Sequence, residues 1–108
     1  MSPNPLLAGL PPVHPGEQIA EMIDSPDFRH SKVAVAEALG INRNGLYLLL
    51  NGKTGITANM ALRLSRVLGN EPEFWMRLQA NYDLRVARAA LGDTLDGLPV
   101  LARAAAAS

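Results

Sequence analysis

Twenty consecutive residues near the middle of the chain, Lys32 to Asn51, constrain the fold more than any other part of the sequence. Ser31 and Asn42 are residue types that favour the N-cap of a helix, and each precedes a run that can continue as a helix. Gly40 follows the first run, at the position where a helix end favours a left-handed backbone conformation. The pattern therefore predicts two short helices that are joined by a tight turn.

The apolar positions of this unit have the spacing of a helix-turn-helix motif. Small Ala36 lets the second helix approach the first closely, and Gly40 makes the turn. The apolar positions of the unit are Val35, Leu39, Ile41, Leu46 and Leu49, and the later ones would fix the angle between the helices. In such a motif the second helix enters the major groove of DNA. An ordinary helical hairpin is the alternative interpretation.

The rest of the chain also favours helices. No segment alternates apolar and polar residues over the length of a strand. We expect a first helix at about 15–24, a fourth helix that begins after Thr57, and a fifth helix at about 71–91. The sequence therefore predicts an all-α fold.

The prolines and the composition of the two ends divide the chain into three parts. Residues 1–13 contain four prolines and are expected to form a flexible N-terminal arm. Residues 14–91 form the predicted helix-turn-helix domain, which ends in a dimerisation helix. Residues 92–108 are expected to be a weakly structured tail, with one short helix after Pro99.

The second helix of the motif divides into an apolar and a polar side when its residues are placed at ~100° each. Leu46, Leu49 and Leu50 share one side and are expected to hold the helix against the body of the domain. The opposite side carries Arg43, Asn44, Tyr47, Leu48 and Asn51. Since arginine can form two hydrogen bonds with guanine, and asparagine with adenine, this side is suited to reading bases.

Three further residues are expected to contact the DNA phosphates. Lys32 begins the first helix of the motif, Lys53 follows the second, and Thr57 caps the fourth helix of the chain. A lysine ammonium and the N-terminus of a helix both bind phosphate favourably. The predicted DNA-binding residues are therefore Lys32, Arg43, Asn44, Tyr47, Asn51, Lys53 and Thr57.

Basic residues concentrate in the same part of the chain, although the formal net charge of the whole sequence is zero. Residues 29–66 contain six basic residues and one acidic residue, a net charge of +5. The remaining segments contain four basic and nine acidic residues, a net charge of −5. A basic centre of this kind is typical of a protein that binds a polyanion such as DNA. A solvated surface with uneven charges is the alternative.

The composition argues against several other functional classes. Without cysteine the chain has neither disulfides nor thiolate metal sites, which fits a cytoplasmic protein. No apolar run approaches the ~20 residues of a membrane helix, and the N-terminus lacks the basic region of a signal peptide. His14 and His30 have no carboxylate at a metal-binding helical spacing, so we expect them to be capping or solvated residues. We expect no enzymatic activity, no metal or other cofactor, and no membrane partner.

The predicted fifth helix carries two apolar stripes, whereas a helix that covers a small domain needs only one. The second stripe consists of Met76, Ala80, Leu84, Ala87 and Leu91. We expect this stripe to form the interface of a two-fold homodimer. Such a dimer would hold two recognition helices about 34 Å apart and would require an inverted-repeat operator. A C-terminal tail that folds back over the stripe is the alternative.

Three segments resemble the HigA-type antitoxins, which belong to the Xre/Cro-like group of helix-turn-helix proteins. They lie between about His14 and Arg88 and read HPGEQIAEMI, VAEALGINRNGLYLLLNGKTGITANMALRLSRVLG and EPEFWMRLQANYDLRVAR. The resemblance implies a five-helix, lambda-repressor-like DNA-binding domain that dimerises and represses its own operon. It also implies neutralisation of a HigB-type toxin, a ribosome-associated messenger RNase. A stand-alone Xre-type transcriptional regulator and an interaction module without DNA binding are the alternatives.

The chain departs from the pattern of these antitoxins at three positions. Gly45 stands where a threonine is common, Lys32 replaces a glutamine, and Leu48 replaces a polar residue on the outer face. A glycine inside a helix costs about 0.5–1 kcal/mol relative to alanine. We expect these departures to affect which operator sequence is recognised more than DNA binding itself.

Overall fold

The computed structural model describes residues 12–102, which form six helices and no strand. The helices are α1 Pro15–Ile23, α2 Lys32–Leu39, α3 Arg43–Leu50, α4 Ala58–Leu68, α5 Pro72–Leu91 and α6 Asp93–Asp96. The all-α prediction is therefore confirmed, and α2 and α3 are the two helices of the predicted motif. None of the described helices is both long enough and apolar enough to cross a membrane.

Side chains that cap the helix ends explain where α2, α3 and α4 begin. Ser31, Asn42 and Thr57 each accept a hydrogen bond from the backbone N–H three residues further on, at 3.1, 2.7 and 3.2 Å respectively. Gly40 and Gly69 end α2 and α4 with left-handed φ angles of 75° and 89°. Because a cap depends on residues that are close in the chain, all three predicted N-caps are found where the sequence indicates them.

Helices α1 to α5 enclose a single hydrophobic core. Trp75 of α5, Ile19 of α1 and Leu64 of α4 are completely buried, and Leu39 of α2 and Leu46 of α3 are almost so. Each of the five helices therefore contributes at least one side chain that is removed from water. Truncation of a buried tryptophan to alanine costs about 3–5 kcal/mol, so Trp75 is a large single contribution from α5.

α1 and α3 approach so closely that only glycine fits between them. A Cβ atom on Gly16 would overlap the carbonyl oxygen of Leu49, a backbone atom that cannot swing away. Gly16 is buried in the first turn of α1, and Leu49 is one of the residues that fix α3 to the core. The position of α3 relative to α1 therefore depends on the absence of a side chain at residue 16.

The C-terminal part of the chain contains a short helix that was not predicted, α6, which lies before Pro99. The short helix predicted after Pro99 falls mostly on residues 103–108 and is not tested by the described residues. Gly92 ends α5 with a φ of 50°, a conformation that lets the chain leave the helix axis before the next turn begins. Residues 1–11 of the predicted arm and residues 103–108 of the predicted tail lie outside the described residues.

Replacement of Gly16 by alanine is expected to destabilise the fold by about 3 kcal/mol, the upper end of the usual cost of overpacking. The reason is the clash of the new methyl group with the carbonyl oxygen of Leu49. Gly97→Ala is the matched control, because Gly97 has a φ of −81° and its nearest atom to a new Cβ would be 3.6 Å away. Thermal unfolding followed by circular dichroism measures both changes, and equal melting temperatures for the two variants would contradict the assignment.

Candidate nucleic-acid interface

α3 turns its polar side outward because its leucines are divided between the core and the surface. Leu46 and Leu49 are 1% and 2% exposed, and Leu50 is partly buried against the same core. Leu48 is 37% exposed and accompanies the polar residues. The four polar residues that were predicted to face outward are all exposed, namely Arg43, Asn44, Tyr47 and Asn51. The orientation of the helix is thus as predicted, and DNA contact by its residues remains a prediction.

The turn between α2 and α3 is held by an arginine of α4. Arg63 donates from Nη1 to the carbonyl oxygen of Leu39 at 2.8 Å and from Nε to Oδ1 of Asn59 at 2.7 Å. A Cβ atom on Gly40 would lie 2.7 Å from Nη1, so glycine leaves room for the guanidinium as well as allowing the turn. The hydrogen bond satisfies a carbonyl at the C-terminus of α2 that has no partner inside the helix. Arg63 therefore ties the helix-turn-helix to α4.

This contact changes the interpretation of the basic centre. Arg63 was counted there as one of six charges for a polyanion, but its guanidinium is engaged within the fold. The other five basic residues of the segment are exposed, namely Arg29, Lys32, Arg43, Lys53 and Arg66. The surface therefore keeps a positive charge in this region, carried by fewer free side chains than the sequence count implies.

A contact between Lys32 and the Tyr47 ring joins α2 to α3. The ammonium nitrogen of Lys32 lies 5.9 Å from the centroid of the Tyr47 ring, which is within the range of a cation–π contact. Both side chains are exposed, and Lys32 occupies the first turn of α2. Two of the predicted DNA-binding residues are therefore neighbours in space, although they are far apart in the chain.

The loop from α3 to α4 brings the last two predicted contacts to the same end of α3. Gly52 has a φ of 72°, and the backbone N–H of Lys53 then bonds to the carbonyl oxygen of Leu48 at 2.8 Å. This arrangement closes the C-terminus of α3 and leaves Lys53 exposed. Thr57 caps α4, whose free backbone N–H groups make that helix end attractive to an anion.

Both histidines contact other residues of the fold. His14 caps α1, since its Nδ1 accepts a hydrogen bond from the backbone N–H of Gly16 at 2.9 Å, and its ring meets Tyr82 edge to face at 4.8 Å. His30 is exposed and packs edge to face on Phe28 at 5.3 Å. Within residues 12–102 no three His, Asp or Glu side chains come together in a group that could hold a metal ion.

Gln79 is a buried polar residue that the sequence did not single out. It is 9% exposed, its Oε1 accepts a hydrogen bond from the backbone N–H of Ile56 at 2.7 Å, and its Nε2 donates to Oδ1 of Asp83 at 2.9 Å. At ~100° per residue, Gln79 and Asp83 lie on the same side of α5. The only local signal was their spacing of four residues, which brings two side chains of a helix together.

The second apolar stripe of α5 is open to solvent. Met76 and Leu84 are 39% and 49% exposed, and the other three members, Ala80, Ala87 and Leu91, are exposed as well. A shallow groove of about 480 Å³ runs beside Met76 and Ala80, between α5 and α4. Residues 93–102 are themselves exposed and do not cover the stripe, so the described part of the tail does not support the fold-back alternative.

Comparison with known sequences gives a family for this arrangement. A helix-turn-helix family model matches residues 29–75, a range that contains α2, α3 and α4. Antitoxin HigA-1 of Vibrio cholerae is 42% identical over 73 residues, which are 68% of this chain and 68% of that protein. Across the first curated relatives that the chain matches, the aligned region spans 63% to 71% of their length. Other relatives are described as uncharacterised helix-turn-helix transcriptional regulators.

Solved structures agree with this assignment. An addiction-module antidote protein of the HigA family from Coxiella burnetii superposes with a TM-score of 0.77 at 37% identity, over 84% of this chain and 98% of that one. The antitoxin GraA in complex with its operator superposes with a TM-score of 0.76 at 36% identity, over 95% of this chain and all of the other. This chain therefore belongs to the HigA-type antitoxin family of Xre-like helix-turn-helix proteins, which are not enzymes.

Proposed function

We propose that this protein is a cytoplasmic antitoxin that binds an inverted-repeat operator as a homodimer, represses its own operon and neutralises a HigB-type RNase toxin. The observation that carries the DNA-binding part is the exposed polar side of α3, which stands on a helix-turn-helix whose turn is fixed by Gly40 and Arg63. Related proteins of known structure have been studied with operator DNA, which supports the same activity here.

Base reading is assigned to the N-terminal half of α3. Arg43 and Asn44 are exposed in its first turn, where a recognition helix meets base edges, and Tyr47 follows one turn later on the same side. Arginine and asparagine offer paired donors and acceptors that distinguish guanine and adenine in the major groove. Asn51, at the far end of the helix, continues this side toward the backbone of the DNA.

Phosphate contact is assigned to three groups that flank α3. Lys32 lies in the first turn of α2, Lys53 lies just beyond the C-terminus of α3, and Thr57 caps the N-terminus of α4. Each is exposed. Such contacts hold the recognition helix in register without reading sequence, and they make binding depend on salt.

Dimerisation is assigned to the exposed second stripe of α5. An open stripe that runs beside an apolar groove calls for a partner surface, and a second copy of the chain supplies a self-complementary one through a two-fold axis. The two α3 helices of such a dimer would reach successive turns of the major groove on one face of the duplex.

Toxin neutralisation is supported by the family to which the chain belongs and by the names of its relatives. A stand-alone Xre-type regulator is the second candidate, because other relatives of similar identity are described only as transcriptional regulators. The two candidates share the DNA-binding activity and differ in whether a toxin partner exists.

Arg43→Ala and Lys53→Ala are expected to weaken operator binding in different ways. Loss of Arg43 should cost about 1–3 kcal/mol on the operator and little on unrelated DNA, because a base contact is lost. Loss of Lys53 should weaken binding to all sequences alike and reduce the slope of log affinity against log salt by about one. Fluorescence anisotropy with the operator and a scrambled duplex measures both effects, and each variant serves as the control for the other. Equal losses on both duplexes for Arg43→Ala would remove its assignment.

Leu84→Glu is expected to convert the dimer to a monomer, because it would bury a carboxylate at the proposed seam. Val86→Glu is the matched control, since Val86 is 42% exposed, similar to Leu84, and lies on the opposite side of α5. Light scattering gives the mass of each variant, and binding to the full operator gives the functional consequence. If the Leu84→Glu variant remains dimeric and binds like the wild type, the dimer interface does not lie at this stripe.

Co-expression tests the toxin partner. If the gene beside this one encodes a product that stops growth when it is expressed alone, this protein should restore growth, and the two proteins should co-purify. A neighbour that is harmless, or that stays toxic in the presence of this protein, would favour the stand-alone regulator. DNA binding would be unaffected by that outcome.

A further inference from the structure

The loop that carries the proposed phosphate contact Lys53 is fastened to α5 at its C-terminal end. The Ile56 side chain is buried, and its backbone N–H donates to Oε1 of Gln79 at 2.7 Å. Gly55 packs directly against the same amide, because a Cβ atom there would lie between 3.2 and 3.3 Å from three Gln79 atoms. Backbone and side chain of the loop are therefore both fixed at this point.

Asp83 determines which way the Gln79 amide points. The Asp83 carboxylate accepts a hydrogen bond from Nε2 at 2.9 Å, and an ionised carboxylate can only accept. The backbone N–H of Ile56 can only donate, so it requires the oxygen of the same amide. Both neighbours demand the same orientation, and the amide is held in the one rotamer that supports the loop.

The N-terminal end of the loop rests on a second group that α5 supports. Gly52 packs against the His14 ring, because a Cβ atom on Gly52 would be 3.4 Å from Cγ of His14. The His14 ring in turn packs edge to face on Tyr82 of α5 at 4.8 Å. Lys53 and Thr54 are exposed between these two contacts, so the contacts with α5 determine the position of both residues relative to the core.

We propose that Gln79 is a positioning residue for DNA binding, which holds the α3–α4 loop so that Lys53 and the capped N-terminus of α4 meet successive phosphates. This inference rests on the proposed DNA-binding function and adds a role for a residue that does not touch DNA. Without the hydrogen bond, Ile56 would keep its side-chain anchor but its buried N–H would lack an acceptor, and the loop would shift to find one. The phosphate contacts would be lost, whereas α3 and its base contacts would stay in place.

Three variants test this role. Gln79→Met has a similar length and removes both hydrogen bonds. Gln79→Glu loses the donor to Asp83, and repulsion between the two carboxylates turns the new side chain away from Ile56, so its hydrogen bond to the loop is lost as well. Gln79→Glu combined with Asp83→Asn restores both hydrogen bonds, because the new asparagine can donate to the new carboxylate, and it restores the net charge of the wild type. The double variant is therefore a matched rescue.

The measurement is operator affinity between about 50 and 200 mM salt, repeated with the scrambled duplex. Gln79→Met and Gln79→Glu should bind the operator about tenfold more weakly, with a salt slope smaller by about one to two. The ratio between the two duplexes should stay at the wild-type value. The double variant should return both affinity and slope to within about twofold of the wild type.

A purely structural role for Gln79 predicts a different result. Lower stability would reduce the melting temperature but would leave the salt slope of the folded protein unchanged, and such an unchanged slope would overturn the inference. If Gln79→Met does not fold, the comparison of Gln79→Glu with the double variant decides in the same way. Wild-type protein that shows no preference for its own operator would instead remove the proposed function.

Discussion

Leu46 and Leu49 fix the rotation of α3 about its own axis, because both side chains are almost completely buried in the core. On a helix, residues that are three apart lie on the same side, so these two anchors leave one face free. That free face carries Arg43, Asn44 and Tyr47. The proposed base contacts thus follow from how the helix is buried, and a change in core packing would alter the chemistry that is offered to DNA.

The positions of α3 and of the loop that follows it depend on three contacts from elements that are distant in the chain. Gly16 lets α1 approach the backbone at Leu49, and Arg63 of α4 closes the turn at Leu39. Gln79 of α5 holds the loop that follows α3. α1 and α4 therefore position α3, and α5 positions the loop that follows it. The same α5 exposes an apolar stripe on another of its faces, so the helix proposed to join two copies also supports the phosphate-contact loop within each copy.

Features that depend on neighbouring residues could be predicted from the sequence. The N-caps Asn42 and Thr57, the turn at Gly40 and the exposed side of α3 arise from local geometry, and the structure has them as predicted. The roles of Arg63 and Gln79 could not be predicted, because their partners are 24 and 23 residues away and are chosen by the tertiary packing. The short helix α6 was not predicted, since a single turn leaves no periodic pattern in the sequence.

In the proposed complex, the polar side of α3 lies in the major groove at two sites on one face of the operator. Methylation interference measures this directly, because methylation of guanine N7 blocks contacts in the major groove whereas methylation of adenine N3 blocks the minor groove. We expect interference at guanine N7 in two clusters about one helical turn, or 10–10.5 base pairs, apart and related by a two-fold axis. Interference at adenine N3 alone, or in a single cluster with no symmetry mate, would contradict it.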